Sequence, residues 1–297
     1  MSSNYKDDVF LYGSTGKEIA LVYLSSYVKS RLAANKTVVL YVHGRGAEPN
    51  KSLHEEKIVE TIERQHGVEC IMFSWDSEAG GIFPAKLLDR KRPLKHVPRG
   101  ADKLAEVLRA FATIQKLSGK IVLLVHSMGS IVVQHVFSKK GLWPATSAPI
   151  FDKALLTEPD ADEKDHAIWL DHLCEKVPGG VYVTFNANDK TLKHSTEKRP
   201  EGTHALGRGP GDARSRLATY INATGLVRGA HRLFALGTLD HQVPLATVVR
   251  SAIRGDFVDL GPASGQLTEN VFVPTNRQDR SDPIFRGVEV YTDVDVE

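Results

Sequence analysis

The residue whose setting most favours chemistry is Ser127, in the hexapeptide Val125-His126-Ser127-Met128-Gly129-Ser130. The apolar run IVLLV precedes it and a helical pattern follows it. A serine on a tight turn between a strand and a helix exposes its hydroxyl above the sheet, where it can attack an acyl carbon. Gly129 supplies a small residue that this turn needs, but Val125 stands where a second glycine is usual. An ordinary helix N-cap is the alternative role for this serine.

A glycine-rich turn earlier in the chain would complement Ser127. His43-Gly44-Arg45-Gly46 directly follows the apolar run TVVLYV, which predicts a strand buried on both faces. Attack on an acyl carbonyl creates an oxyanion, and two fixed backbone N–H groups stabilise it. We expect the amides of Met128 and Arg45 to be these two donors, forming an oxyanion hole.

The elements around these turns alternate between short β-branched strands and amphipathic helices. Strands are predicted at 37–42, 68–73, 121–125, 154–156, 181–185 and 232–236, and helices at 53–65, 101–117, 130–139, 165–175 and 244–253. This alternation is typical of an α/β fold with a doubly wound, mostly parallel sheet and helices on both faces.

A single domain is expected over residues 1–297, with its core at about 37–255. The stretches 80–100 and 194–230 are interpreted as insertions between core elements, because the first is basic and broken by prolines and the second is rich in Gly, Arg and Ser. Residues 256–297 are expected to form an irregular C-terminal extension, with strand-like runs at 271–273 and 288–291. Residues 1–36 fit an edge hairpin followed by a helix.

Composition argues against several classes of function. The chain has 38 Lys or Arg and 36 Asp or Glu, so its charge gives no reason to expect a nucleic-acid partner. It lacks an apolar run near the roughly 20 residues of a membrane helix and shows no signal peptide, which predicts a cytoplasmic protein without integral membrane association. No metal or cofactor is expected: Gly13 to Lys17 departs from a phosphate-binding loop, and His54-Glu55-Glu56 lacks the second histidine of a zinc helix.

The combined motifs resemble the α/β-hydrolase superfamily of serine hydrolases. Within it, the chain is similar to a poorly characterised bacterial branch of esterase- and lipase-like proteins. That similarity rests on Phe73-Ser74-Trp75, Glu158-Pro159-Asp160 and the segment from Asn188 to Ser195, and it covers about residues 37–245. The resemblance implies an α/β-hydrolase fold and cleavage of a carboxylic ester through an acyl-enzyme intermediate.

The resemblance also implies a catalytic triad in the chain order Ser, Asp or Glu, His. His241 follows the run predicted as the last core strand and is the expected base, ahead of His204 and His231, which lie in or beside the second insertion. Asp189, after the strand VYVTF, is the expected acid. Asp160, after the preceding strand, is the alternative acid.

The substrate is expected to be a small acyl compound. The basic run from Lys86 to Arg99 would favour an anionic substrate if it overhangs Ser127. Two other functions compete with ester hydrolysis. One is acyl transfer, in which an alcohol or thiol replaces water, and the other is non-catalytic binding by a protein that kept the fold.

Overall fold

A nine-stranded sheet forms the centre of the part of the chain that the structure describes. This structure is a computed structural model, and it describes residues 10–46, 57–77, 90–114, 118–144, 148–239 and 241–276. The strands are β1 (Phe10–Tyr12), β2 (Thr37–Val42), β3 (Glu69–Ser74), β4 (Lys120–His126), β5 (Lys153–Thr157), β6 (Val181–Phe185), β7 (Thr219–Asn222), β8 (Gly265–Thr268) and β9 (Val271–Pro274).

The strands lie in the order β1-β3-β2-β4-β5-β6-β7-β9-β8. All neighbouring pairs from β3 to β9 are parallel, while β1 and β8 pair antiparallel at the two edges. The carboxyl ends of the parallel strands therefore share one edge of the sheet, where the loops of α/β proteins form binding sites. Because β4 lies between β2 and β5, the turns that follow these three strands are neighbours.

Helices cover both faces of the sheet. They are α1 (Leu21–Ala33), α2 (Ile58–His66), α3 (Lys91–Ala112), α4 (Gly129–Ser138), α5 (His166–Cys174), α6 (Lys190–Thr196) and α7 (Val243–Ile253). Val38 and Leu40 of β2 belong to an apolar cluster with α1, α3, α4 and α5, whereas Val39 and Tyr41 belong to a second cluster with α2 and α7. The predicted doubly wound α/β sheet is confirmed. None of the described helices is long and apolar enough to cross a membrane.

The first predicted insertion is helical over its second half. Residues 80–89 lie outside the described residues, but α3 begins at Lys91, directly after Arg90, and includes the basic run from there to Arg99. Two of the three prolines that suggested a loop, Pro93 and Pro98, lie within this helix, and the third, Pro84, lies outside the described residues. Pro93 is tolerated in the first turn because amides there have no acceptor within the helix.

The second predicted insertion contains part of α6 and the whole of β7, which joins β6 to β9 in the sheet. The prediction of a last core strand at 232–236 is wrong. That run leads into a 3-10 helix at Leu236–Leu239 and packs against α2, where the Leu236 amide donates to Gln65 Oε1 at 2.9 Å. Its apolar residues thus cover a helix instead of pairing in the sheet.

Both ends of the described chain add edge strands. The run at 271–273 is confirmed as a strand, β9, and β8 pairs with it, so this part of the predicted irregular extension belongs to the sheet. The run at 288–291 lies outside the described residues. Near the other end, β1 pairs with β3, and α1 follows after a short bridge between Tyr12 and Glu18.

Candidate active site

Ser127 occupies the turn between β4 and α4 with a left-handed backbone, at φ 51°. This conformation costs a residue with a Cβ on the order of 1–3 kcal/mol, so the surrounding structure must hold it. The end of β5 does so: the Ser127 amide donates to Thr157 O at 3.0 Å, and its carbonyl accepts from the Asp160 amide at 3.0 Å. A strained serine between a strand and a helix is the geometry that exposes a nucleophile.

Two glycines allow the backbone to approach this turn closely. A Cβ on Gly129 would lie 2.6 Å from His43 O and 2.7 Å from Val42 O, so a larger residue would displace β2. A Cβ on Gly44 would lie 2.9 Å from Ser127 Cβ. The valine that replaces the second usual glycine, Val125, is fully buried in the cluster with α3 and α4.

Trp75, the last residue of the Phe-Ser-Trp motif, fixes the His-Gly turn beside Ser127. Its indole Nε1 donates to His43 O at 2.9 Å, and its amide donates to His43 Nε2 at 3.2 Å. The other ring nitrogen of His43, Nδ1, donates to Gly44 O at 2.7 Å. Burial lowers the pKa of His43 to about 4, so the ring is neutral and can accept the Trp75 amide.

The histidine that faces Ser127 is His231. Ser127 Oγ lies 2.9 Å from His231 Nε2, and His231 Nδ1 lies 2.7 Å from Asp189 Oδ2. The His231 side chain is 15% exposed, whereas the Asp189 side chain is fully buried. Serine, imidazole and carboxylate thus form one continuous hydrogen-bonded chain.

The expectation that His241 faces Ser127 is wrong. His241 follows the 3-10 helix at Leu236–Leu239, beyond the segment that packs on α2, and it does not line the pocket around Ser127. His204, the other candidate, lies 3.8 Å from Glu163 and is also absent from that pocket. The error arose from the strand assignment: the last parallel strand before the histidine is β7, not the run at 232–236.

Hydrogen bonds at the end of β6 hold Asp189 and the segment that faces it. It is the N-cap of α6, and its Oδ1 accepts the Leu192 amide at 2.8 Å. Three residues earlier, buried Asn186 donates through Nδ2 to Arg228 O at 2.8 Å. The end of β6 therefore fixes both the carboxylate and the loop that leads to His231.

Carboxylates around His231 control its protonation. Burial alone would lower the pKa of this imidazole, but the charge and hydrogen bond of Asp189, with the charges of Glu158 and Asp160, outweigh burial and raise it.

His126 contacts the backbone of His231 and not its ring nitrogens: its Nε2 donates to His231 O at 2.7 Å. Burial, followed by the charge of His231, holds the pKa of His126 well below its ordinary value, so His126 is a neutral support of the loop.

Glu158 is a buried carboxylate whose side chain the sequence did not single out. Its Oε1 accepts from Thr184 Oγ1 at 2.8 Å, and its Oε2 accepts from the Leu233 amide at 3.1 Å. It thereby links β6 to the segment just after His231. Burial raises the pKa of Glu158 to about 7.

Asp160, the alternative acid, does not bond to His231. Its Oδ1 accepts from Ser195 Oγ at 2.5 Å and from Arg199 Nη2 at 2.8 Å, and its Oδ2 lies 3.6 Å from Arg90 Nε. The assignment of Asp160 as an acid for the histidine is therefore wrong. Its carboxylate instead links α6 and the start of α3 to the turn that carries Ser127.

A pocket of about 130 Å³ opens over Ser127 and His231. Met128 and Arg45, the expected oxyanion donors, both contribute to its lining. Met128 directly precedes α4, where the first backbone amides of a helix have no intrahelical acceptor. Among the described residues, no group of three or more His, Cys, Asp or Glu could hold a metal ion.

The sequence model of a family described as "Alpha/beta hydrolase of unknown function (DUF900)" matches residues 23–201. That stretch is more than half of the 297-residue chain and contains Ser127 and Asp189, but it ends before His231. No protein of curated function matches the chain.

Several solved structures resemble the chain weakly. An esterase from Pyrobaculum calidifontis is 12% identical over 65% of this chain and 68% of its own, with a TM-score of 0.32. Esterase LipW from Mycobacterium marinum is 12% identical over 68% and 77%, with a TM-score of 0.31. EstE1, a carboxylesterase cloned from a metagenomic library, is 13% identical over 66% and 72%, with a TM-score of 0.33.

Proposed function

Because this chain belongs to the family described as α/β hydrolases of unknown function, we propose that it is a serine hydrolase that cleaves carboxylic esters. In this proposal Ser127 is the nucleophile, His231 the general base and Asp189 the acid that orients it. The observation that carries the proposal is the hydrogen-bonded chain from Ser127 Oγ through His231 to Asp189 Oδ2, with distances of 2.9 and 2.7 Å.

Acylation begins when Ser127 Oγ attacks the ester carbonyl and passes its proton to His231 Nε2. Asp189 holds the ring in the tautomer that leaves Nε2 free to accept this proton, and it stabilises the imidazolium that forms. The amides of Met128 and Arg45 stabilise the tetrahedral oxyanion. His231 then returns the proton to the alcohol oxygen as the C–O bond breaks, leaving an acyl-Ser127.

Deacylation repeats these steps with water. His231 Nε2 takes a proton from the water as its oxygen attacks the acyl carbon, and the proton then goes to Ser127 Oγ as the acid is released. Each step needs His231 unprotonated before attack. The raised pKa of His231 therefore predicts activity that increases as pH rises above the ordinary imidazole range.

The test is covalent labelling by a fluorophosphonate together with hydrolysis of p-nitrophenyl butyrate. Ser127→Ala should lose all labelling and roughly 10⁶-fold in rate, because the members of a triad act as a unit. Ser195→Ala is the matched control, because Ser195 also lines the pocket, and it should still be labelled. Labelling that persists in Ser127→Ala would overturn the proposal. So would wild-type protein that neither reacts with the fluorophosphonate nor hydrolyses the ester. The second result would favour a non-catalytic binding protein.

A further inference from the structure

Most of the charged side chains that line the pocket over Ser127 are positive, although the positive and negative charges of the whole chain nearly balance. Its described lining contains four cationic side chains and one carboxylate, whereas the chain is nearly balanced, with 38 Lys or Arg and 36 Asp or Glu. The cationic residues are Arg45, Arg90, Lys198 and Arg232, and the carboxylate is Asp160. A cleft lined by one sign of charge concentrates ligands of the opposite sign.

These four cations reach the pocket from separate parts of the fold. Arg45 follows β2, Arg90 directly precedes α3, Lys198 follows α6, and Arg232 is the neighbour of His231. They therefore do not reflect one solvated basic run. The single carboxylate, Asp160, is paired at 2.8 Å with Arg199, which is buried behind the lining, and its other oxygen lies 3.6 Å from Arg90 Nε. Asp160 therefore offsets Arg90, and the positive charge of the lining comes mainly from Arg45, Lys198 and Arg232.

We propose that the substrate is an anionic ester, with a carboxylate or phosphate group near the scissile carbonyl, held by Arg232 and Lys198. This inference rests on the proposed hydrolase activity and names its substrate class. The pocket volume of about 130 Å³ fits a short acyl or alcohol group. Met128 and Leu192 give that group apolar contact, while the cations surround its charged end.

Matched ester pairs test the proposal. The mono-p-nitrophenyl ester of adipic acid is compared with p-nitrophenyl hexanoate, which has a methyl group in place of the carboxylate. The hexanoate ester of 5-hydroxy-2-nitrobenzoate carries the anion on the leaving group instead. At least one anionic ester should exceed the neutral ester in kcat/KM by about 10-fold or more at low salt. The preference should shrink at about 0.5 M salt, because salt screens exposed charges. A preference for the adipate ester would place the charged group on the acyl side of the substrate. A preference for the nitrobenzoate ester would place it on the alcohol side.

Variants locate the effect. Arg232→Gln and Lys198→Gln should each lower the ratio of anionic to neutral kcat/KM several-fold. Lys193→Gln is the matched control, because Lys193 is an exposed lysine of α6 that does not line the pocket, and it should leave that ratio unchanged. Equal or better use of the neutral ester, or a ratio that neither lining variant changes, would overturn the proposal while leaving the hydrolase activity intact.

Binding provides a readout that does not depend on turnover. Calorimetry should show that wild-type protein binds adipate more tightly than hexanoate. The difference between the two affinities should be smaller in the double variant Arg232→Gln/Lys198→Gln. If no ester is hydrolysed but adipate still binds in this way, the hydrolase proposal fails and the anion site stands. Equal binding of adipate and hexanoate would remove the anion site.

Discussion

The turn that carries Ser127 joins two regular elements, β4 and α4, whereas His231 lies on an irregular segment between β7 and α7. Close backbone approach fixes the turn, as the distances at Gly44 and Gly129 demonstrate. Side-chain hydrogen bonds to backbone groups fix the segment with His231. These come from Gln65, His126, Glu158 and Asn186.

The two regions should therefore fail in different ways. In the turn, added volume is harmful, because the backbones of β2 and α4 leave no room for a Cβ. In the histidine segment, loss of a polar partner is harmful, because a buried N–H or C=O that loses its hydrogen bond costs on the order of 1–3 kcal/mol. Substitutions that add volume without removing a hydrogen bond should harm the turn, and substitutions that remove a hydrogen bond without adding volume should harm the histidine segment.

The largest effect is expected at the base. His231→Ala should reduce kcat/KM for p-nitrophenyl butyrate by roughly 10⁶-fold, because Ser127 would lose its proton acceptor. His241→Ala should retain most of the activity, because His241 does not line the pocket. An inactive His241→Ala with an active His231→Ala would return the base to the position predicted from the sequence.

The acid should have the next largest effect. Asp189→Asn should lower kcat by about 10⁴, because an amide at this position favours the wrong imidazole tautomer. Asp160→Asn should cost only a few-fold, since Asp160 bonds to Ser195 and Arg199 and not to the imidazole. Circular dichroism and the midpoint of thermal unfolding should establish that both variants fold. A larger loss in Asp160→Asn than in Asp189→Asn would contradict this assignment.

The sequence predicts the nucleophile's surroundings well because their signals are local. The strands, the glycine turn and the HSMGS turn are short contiguous patterns, and the α/β-hydrolase fold predicted from them is confirmed. The error at the histidine has a physical cause. β7 has only four residues, Thr219–Asn222, while the longer apolar run at 232–236 serves to cover α2. A pattern of apolar residues does not distinguish burial under a helix from burial within a sheet.

Glu158 could not be predicted for a related reason. Its partners, Thr184 and Leu233, lie 26 and 75 residues away in sequence, so the motif Glu158-Pro159-Asp160 does not reveal what the Glu158 side chain contacts. One signal for His231 was available: it is the histidine nearest after the run TYIN, which matches a short strand. Chain order from that strand would have selected His231 over His241.

A steric substitution in the turn should have an intermediate effect. Gly129→Ala should lower the rate by roughly 10²-fold, because a Cβ 2.6 Å from His43 O would shift Ser127 relative to the glycine turn. It should also destabilise the fold by about 1–3 kcal/mol, measured by urea unfolding. Gly209→Ala is the control, since a Cβ there meets nothing within 4 Å, and it should change neither quantity. Equal effects of the two substitutions would show that close approach does not hold the turn.

The smallest effect, and the sharpest test of the histidine segment, is expected from Glu158→Gln. Glutamine retains an oxygen for the Leu233 amide, and its NH2 group can donate to Thr184 Oγ1 in place of accepting from it, so both contacts can form while the charge is removed. The groups that act on His231 are the carboxylates of Asp189, Glu158 and Asp160, which raise its pKa against the effect of burial. Removing one of these charges must lower that pKa.

The acid limb of the kcat/KM profile reports this shift, because the free enzyme needs unprotonated His231. In wild-type protein its midpoint should lie above 6.5, the ordinary value for histidine. In Glu158→Gln the midpoint should move to lower pH, because one of the charges that raise the pKa of His231 is removed. The shift is small because burial raises the pKa of Glu158 to about 7, so its charge is already partly neutralised over the same range. Glu158→Ala should instead lower stability and rate at every pH, since it leaves the Leu233 amide without its acceptor. A midpoint that stays fixed or moves upward in Glu158→Gln would mean that Glu158 holds the segment without tuning the base.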